Sequence, residues 1–280
     1  MIIVKLQGGL GNQLFQYAFA KKISIIKKQK IYFDISSYDS DYLDRKISIP
    51  EYLINKSILT KKVYYKIISK NNKINIFFLK LSLLDQRFEN DFSYKPDFLV
   101  TEKPITYFDG YWQSHKYFDD IRKEILNQFL IDNSKIKNLK IALEINNSSV
   151  AIHVRRTDYL IDSRYGFLGE DYYKKSLQLI KTVIPNPNFL IFSDDIDWCK
   201  NNLPFEDSLT YITKEFKLTD FEELCLFSEC SNHIIANSTF SWWGAWLSKS
   251  QNKIVIRPAK PFNDISLLYE HHYPDKWIAL

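Results

Sequence analysis

The chain has 280 residues, 45% of them hydrophobic and 25% charged, a balance that excludes a disordered, collagen-like or disulfide-scaffold protein and allows a sizeable core. The formal charge of +5 is carried mostly by lysine, since only seven residues are arginine, and no basic stripe alternates with base-stacking aromatics, which argues against a nucleic-acid partner. Cys199, Cys225 and Cys230 are odd in number and lack C-x-x-C spacing, so neither a disulfide framework nor a zinc site is expected.

No stretch reaches the run of about 18 apolar residues that a spanning helix needs. The start, MIIVKLQGG, also lacks the basic head and longer apolar run of a signal peptide, so a cytoplasmic location is expected. At about 150 residues per domain the length suggests two domains and also allows one large one. The opening predicts a strand over Ile2–Leu6, a glycine loop, a helix over about Asn12–Lys28 and a strand over Lys30–Asp34, which is a βαβ beginning. Lys61–Leu84 interleaves Lys with Tyr, Ile and Phe. Two readings stay open there: an amphipathic helix with a solvated face, or a weak peripheral contact with an anionic membrane. The segment from Phe108 to Gln113 reads as a turn with aromatics, and spacing places no chemistry in it. The polar run Asn133–Lys140 and the cluster Asn146–Ser149 read as a linker and a strand lead-in, giving domains at 1–145 and 146–280.

Four apolar runs follow with helical stretches between them: Val150–Val154, Phe189–Phe192, His233–Ala236 and Ile254–Ile256. They predict a second parallel α/β layer. Each run ends in polar residues: His153, Arg155, Arg156 and Asp158; Ser193, Asp194 and Asp195; Asn237, Ser238 and Thr239; and Arg257. Parallel strands point their carboxyl ends to one side, where ligands bind, so these clusters are expected to converge.

Scarce residues are gathered in two places. Three of the seven glycines are Gly8, Gly9 and Gly11, and two of the seven arginines are the neighbours Arg155 and Arg156. Gly9-x-Gly11-x-x-Leu14 with Asp34 is an incomplete dinucleotide fingerprint whose third glycine is missing. It leaves open a nucleotide-dependent oxidoreductase or a plain tight turn, while Asn12 and Gln13 offer amides for sugar hydroxyls or phosphate. Strand alternation sends His153 and Arg155 to one face and Val154 and Arg156 to the other. One guanidinium can then grip a pyrophosphate bidentately while its neighbour braces a carboxylate. Ser238 and Thr239 at a helix start suit phosphate, or simply cap the helix. Asp195-Ile196-Asp197 spells a D-x-D, but a diphosphate already faced by Arg155 and a helix N-terminus needs no metal. A glycan-binding module without catalysis is a third class, and the paired arginines speak against it.

GGLGNQLFQYAFA, HVRRTDY, FSDD and NSTFSWWGAWLS resemble, in that order and spacing up to about Ser248, the bacterial α-1,2-fucosyltransferases of glycosyltransferase family 11. The resemblance implies an α/β fold of GT-B type, with two Rossmann-like domains facing a cleft, the first on the acceptor side and the second binding GDP-fucose. It implies inverting, metal-independent transfer of fucose from GDP-β-L-fucose to the 2-hydroxyl of a galactose on a glycan, in surface polysaccharide or O-antigen synthesis, with no cofactor. Carried over by position, Arg155 would bind the pyrophosphate with His153 beside it. Arg156 and Asp158 would brace the motif or reach the nucleotide, and Ser238, Thr239 and Phe240 would line phosphate and nucleoside. Glu223, or its neighbour Glu222, would read the guanine edge. Gly11, Asn12 and Gln13 would face fucose and acceptor, and Ser193, Asp194 and Asn237 complete the expected binding set. His153, Asp158 and Asp162 are the candidates for a general base.

Overall fold

The computed structural model describes residues 1–39, 46–59, 83–129, 145–203, 209–264 and 269–280. Lys61–Leu84 lies outside them except for its last two residues, and the polar run Asn133–Lys140 lies outside them altogether. The chain forms two compact units, Met1–Phe129 with Leu268–His272, and Leu130–Leu267 with Tyr273–Leu280. A short C-terminal piece, Leu268–His272, groups with the first unit.

In the first unit the expected strand, loop, helix and strand are β1 (Ile2–Lys5), Gln7–Gly9, α1 (Leu10–Lys27) and β2 (Ile31–Asp34). A single turn, α2 (Glu51–Ile54), precedes β3 (Leu84–Phe88), β4 (Ile105–Asp109) and α3 (Arg122–Gln128). The four strands run parallel in the order β2-β1-β4-β3. The order reverses between β1 and β4, so the loops leaving those two strands open a crevice at the carboxyl edge. The helix α1 is buried on most of its circumference, including Leu14, Phe15, Ala18 and Phe19. The Phe19 ring stacks on Trp112 at 4.2 Å and meets Phe108 and Tyr117 edge-on, both at 5.2 Å. Burying one such ring is worth about 1.5–3 kcal/mol.

The second unit begins with β5 (Ser149–Val154), α4 (Glu170–Val183), β6 (Asn188–Ser193), α5 (Ile196–Asn202) and β7 (Leu209–Ile212). It continues with α6 (Asp220–Glu229), β8 (Asn232–Ile234), α7 (Thr239–Leu247), β9 (Val255–Arg257) and β10 (Ile278–Ala279). All six strands are parallel, in the order β10-β9-β8-β5-β6-β7. Counted from β5 as the first strand, this is the Rossmann order, with its switch point between β5 and β8. Every residue of β5 is buried, as expected of a central parallel strand with both faces covered. Val150, Ile152 and Val154 pack on Tyr173, Leu177 and Ile180 of α4. The strands β7 and β10 lie outside the four expected apolar runs. β7 is only partly buried except for Ile212, and β10 is exposed, so neither carries the continuous apolar run that marks a central strand.

Candidate active site

The β5 exit is organised around Asp194 at the end of β6. One oxygen of its carboxylate accepts the Arg156 main-chain N–H at 2.9 Å, and the other accepts the Thr157 hydroxyl at 2.6 Å and the Thr157 N–H at 3.2 Å. That second oxygen also lies 3.2 Å from Arg155 Nη1. Arg155 Nη2 donates to Asp158 at 2.8 Å. Burial works against the Arg155 charge, but Asp158 and Asp194 outweigh it and hold the guanidinium above its ordinary value. Nη2 spends one N–H on Asp158 while Nη1 is only ion-paired with Asp194, so Nε–H and the remaining Nη hydrogens are left for a ligand.

Arg156 is committed differently. Its guanidinium lies 4.9 Å from both the Phe167 and Trp198 rings, and Nε donates to Asp195 at 2.9 Å. This is the face Val154 shares with Phe167 and Trp198, so the alternation along the strand holds through Arg156, which braces the motif. Asp195 also caps α5, accepting the Trp198 N–H at 3.0 Å, while Ser193 Oγ accepts the Asp195 N–H at 2.9 Å. Ser193 and Asp194, expected among the ligand-binding residues, thus hold the loop that presents Arg155. Asp195 of the D-x-D has one oxygen on a helix cap and the other on Arg156.

The His153 ring lies 5.2 Å from Phe240 and edge-on to Phe227 at 6.2 Å, and the His153 carbonyl accepts the Tyr173 hydroxyl at 3.2 Å. Burial, and then the Arg155 charge, pull its imidazole down to about 3. It is therefore neutral near pH 7, and a base that weak takes a proton poorly. Of the other base candidates, Asp158 accepts from Arg155, and Asp162 is bound by Arg164 at 2.6–3.2 Å in an exposed pair.

Tyr159, which sequence reasoning passed over, ties the two sides of the switch point. Its ring lies under Arg155 at 5.8 Å and its hydroxyl donates to the Asn237 carbonyl at 3.1 Å. The Asn237 amide donates to the carbonyls of Tyr165, Gly166 and Pro261 at 3.0, 3.0 and 3.3 Å, so this buried residue fixes neighbouring loops. Ser238 caps α7 by accepting the Phe240 N–H at 3.3 Å, and Thr239 opens the first turn. The tryptophans that follow are core: Trp242 and Trp243 are fully buried, and Trp242 also packs on Trp246 and Trp277.

Glu222 and Glu223 have different duties. Glu222 closes a capping box, accepting the Thr219 N–H at 2.7 Å while its own N–H reaches Thr219 Oγ1 at 3.3 Å. The Glu223 carboxyl accepts nothing from the described residues, and burial, with Asp220 adding to it, pushes it up to about 7.

In the first unit Gly11 sits inside the first turn of α1, and the bend is made by Gly8 at φ +77° and Gly9 in extended form. A Cβ on Gly8 would stand 2.5 Å from Asn12 Nδ2. Gln13 is fully buried and saturated: Nε2 donates to the Gly8 and Lys46 carbonyls at 2.9 and 3.0 Å, and Oε1 accepts the Ser48 and Ile49 N–H groups, both at 2.9 Å. It braces the loop and has no group left for substrate, contrary to expectation. Asn12 is joined by Gln113, whose Nε2 donates to Asn12 Oδ1 at 2.9 Å. Asp34, the acid of the incomplete fingerprint, is buried and accepts the Tyr107 hydroxyl at 2.8 Å and the Ser36 N–H at 2.9 Å, so it is not presented to a ribose.

The family profile described as Glycosyl transferase family 11 matches residues 39–280. The chain is 31% identical to the Alpha-1,2-colitosyltransferase of Escherichia coli, over 100% of this chain and 99% of that protein. It is 30% identical to the O-antigen biosynthesis glycosyltransferase WbnK of the same organism, over 98% and 99%. It is 21% identical to the mouse Galactoside 2-alpha-L-fucosyltransferase Sec1, over 100% and 74%. Among solved structures the fucosyltransferase NodZ from Bradyrhizobium shares the fold, with a TM-score of 0.51 at 12% identity over 87% of this chain and 91% of that one. The fold class is α/β of GT-B type, with a parallel sheet in each unit. No helix among the described residues is long and apolar enough to cross a membrane. The chain is a glycosyltransferase and belongs to glycosyltransferase family 11.

Proposed function

We propose that the protein transfers L-fucose from GDP-β-L-fucose to the 2-hydroxyl of a terminal galactose, with inversion and without a metal, in the synthesis of a surface polysaccharide. The observation that carries this reading is the Arg155 guanidinium at the exit of β5, held by Asp158 and Asp194 and linked through Tyr159 to the strand end that leads into α7. A guanidinium and a helix N-terminus at one switch point suit a diphosphate, and stabilise the charge that grows on it as the sugar departs. Ser238 and Thr239 offer hydroxyls there, Phe240 an apolar ring, and Glu223 a carboxyl free to accept from the guanine N–H edge. His153 is held neutral, Asp158 accepts from Arg155 and Asp162 is paired with Arg164, so none of the three suits a general base, which supports an early, oxocarbenium-like departure in which the acceptor proton leaves late. Metal independence is supported by the capping and ion-pair duties of Asp195, and is tested by full activity in EDTA. The three cysteines, all free and buried, suit a reducing cytoplasm, which cell fractionation tests, along with any peripheral hold on the inner membrane.

A second donor is favoured by the 31% identity to a colitosyltransferase. Colitose is fucose without its 3-hydroxyl, so a pocket built for one admits the other unless a polar group is aimed at that hydroxyl. Competing GDP-fucose against GDP-colitose at equal concentration tests the choice. A several-fold higher kcat/KM for GDP-fucose supports the fucosyl reading, and the reverse ratio overturns it.

A further inference from the structure

We infer that Asn12 and Gln113 form an amide pair that binds two hydroxyl groups of the neutral glycan acceptor, with Gln113 as the specificity-determining member. The inference rests on the acceptor reading above and adds the residues that would grip the sugar.

The carboxyl edge of the first sheet is crowded with polar side chains, and almost all are consumed by the protein itself. Gln13 is saturated at both ends. Gln16 accepts the Gln7 N–H at 3.0 Å and donates to the Gly110 carbonyl at 3.1 Å. Asp109 takes Lys5 at 3.0 Å and Gln7 at 3.2 Å. The joined pair keeps one free group on each member. Gln113 Nε2 to Asn12 Oδ1 uses one donor and one acceptor, and neither Asn12 Nδ2 nor Gln113 Oε1 has a partner among the described residues. Gln113 is 6% exposed, yet its Oε1 is not among the fully buried unpartnered atoms, so it keeps contact with solvent, where a ligand hydroxyl can take the place of water. Exchanging the amide O and N positions leaves the pair with the same offer, one donor beside one acceptor.

The pair is also held more firmly than packing requires. Trp112 has a left-handed backbone, φ 58°, which a bulky residue adopts only when its surroundings impose it. Glu89 imposes it by accepting the Tyr111 N–H at 2.6 Å and the Trp112 N–H at 3.0 and 3.1 Å. The Gln113 carbonyl is bonded by the buried His272 Nδ1 at 2.8 Å, and the Ser114 hydroxyl donates to the His271 carbonyl at 2.8 Å. Gly8 leaves room for the Asn12 amide where any Cβ would collide with it. A neutral donor and acceptor fixed side by side match adjacent sugar hydroxyls, one donating to Gln113 Oε1 and one accepting from Asn12 Nδ2. Lys5, at the same sheet edge, is neutralised by Asp109.

The test uses methyl β-galactoside and its 3-, 4- and 6-deoxy analogues as acceptors. For the wild type, removing the recognised hydroxyl raises acceptor KM about tenfold. In Asn12→Ala and in Gln113→Met that penalty falls below about twofold while the GDP-fucose KM is unchanged, an outcome that loss of packing alone does not produce. A deoxy penalty that persists in both variants, or a change in donor KM instead, overturns the inference. If the wild type fucosylates no galactoside, the functional reading fails by itself. Saturation-transfer NMR with methyl β-galactoside then decides the subsite: signal lost in the folded Asn12→Ala variant supports it, and signal retained, or missing from the wild type, overturns it.

Discussion

Arg155 Nη1 meets Asp194 Oδ2 at 3.2 Å, on the same carboxylate oxygen that takes the Thr157 hydroxyl at 2.6 Å. One side chain at the end of β6 thus sets both the turn after β5 and the aim of the guanidinium that would hold the diphosphate. Asp194→Ala leaves two N–H groups and a hydroxyl without their acceptor, at a cost of about 1–3 kcal/mol in stability. Urea unfolding reads that loss. Donor KM should rise in the same variant, because Arg155 is no longer steered.

Arg155→Ala is the cleaner functional probe. Its circular dichroism and melting should stay near wild type, since its contacts lie in a part-buried loop at the strand exit rather than in the core. Transfer should fall by at least about 100-fold, the scale of removing a group that stabilises developing charge. Turnover close to wild type would sink the diphosphate role.

Glu222 and Glu223 should separate cleanly. Glu222→Ala breaks the capping box and costs about 0.5–2 kcal/mol, with donor KM unchanged. Glu223→Gln should raise donor KM and leave the helix intact. The Glu223 carboxyl titrates at about 7 in the folded chain, above its ordinary value near 4.5. The folded state therefore holds this proton where the unfolded state has released it, and stability falls as pH rises from about 4.5 to 7. Glu223→Gln should flatten that slope in unfolding measured across the window. Donor affinity should move oppositely in the wild type, weakening as pH drops through 7 and the carboxylate that accepts from guanine is protonated.

Gly244→Ala tests the packing behind the site. A Cβ there would stand 2.2 Å from the Phe227 ring, which itself packs against His153 and Phe240. Overpacking of this kind costs about 1–3 kcal/mol. The melting temperature should drop, and Phe227→Leu in the same chain should restore part of it.

The parts of this molecule that were legible in the sequence are those where local pattern and global fold agree. The βαβ start and the four central strands of the second unit were readable because their apolar runs are continuous. The edge strands at Leu209–Ile212 and Ile278–Ala279 were not, because an edge strand needs no such run. In the site, charge and scarcity marked Arg155 and Arg156, and strand alternation separated their roles. Amides were harder. Asn12 and Gln13 are neighbours of similar chemistry, and only the fold shows that Gln13 spends all its hydrogen bonds inside the loop while Asn12 finds Gln113, 101 residues away along the chain. Tyr159 and Glu89 gave no signal in spacing, since each acts on backbone groups brought near by the sheet.

The bond that is made is the most direct test of the proposed transfer. Purified protein incubated with GDP-fucose and a panel of Galβ1-3 and Galβ1-4 acceptors, with the product linkage read by NMR, should yield fucose α-linked to the galactose 2-hydroxyl, and none with Arg155→Ala. Fucose on any other hydroxyl, or no transfer from GDP-fucose to any of these galactosides, would contradict it.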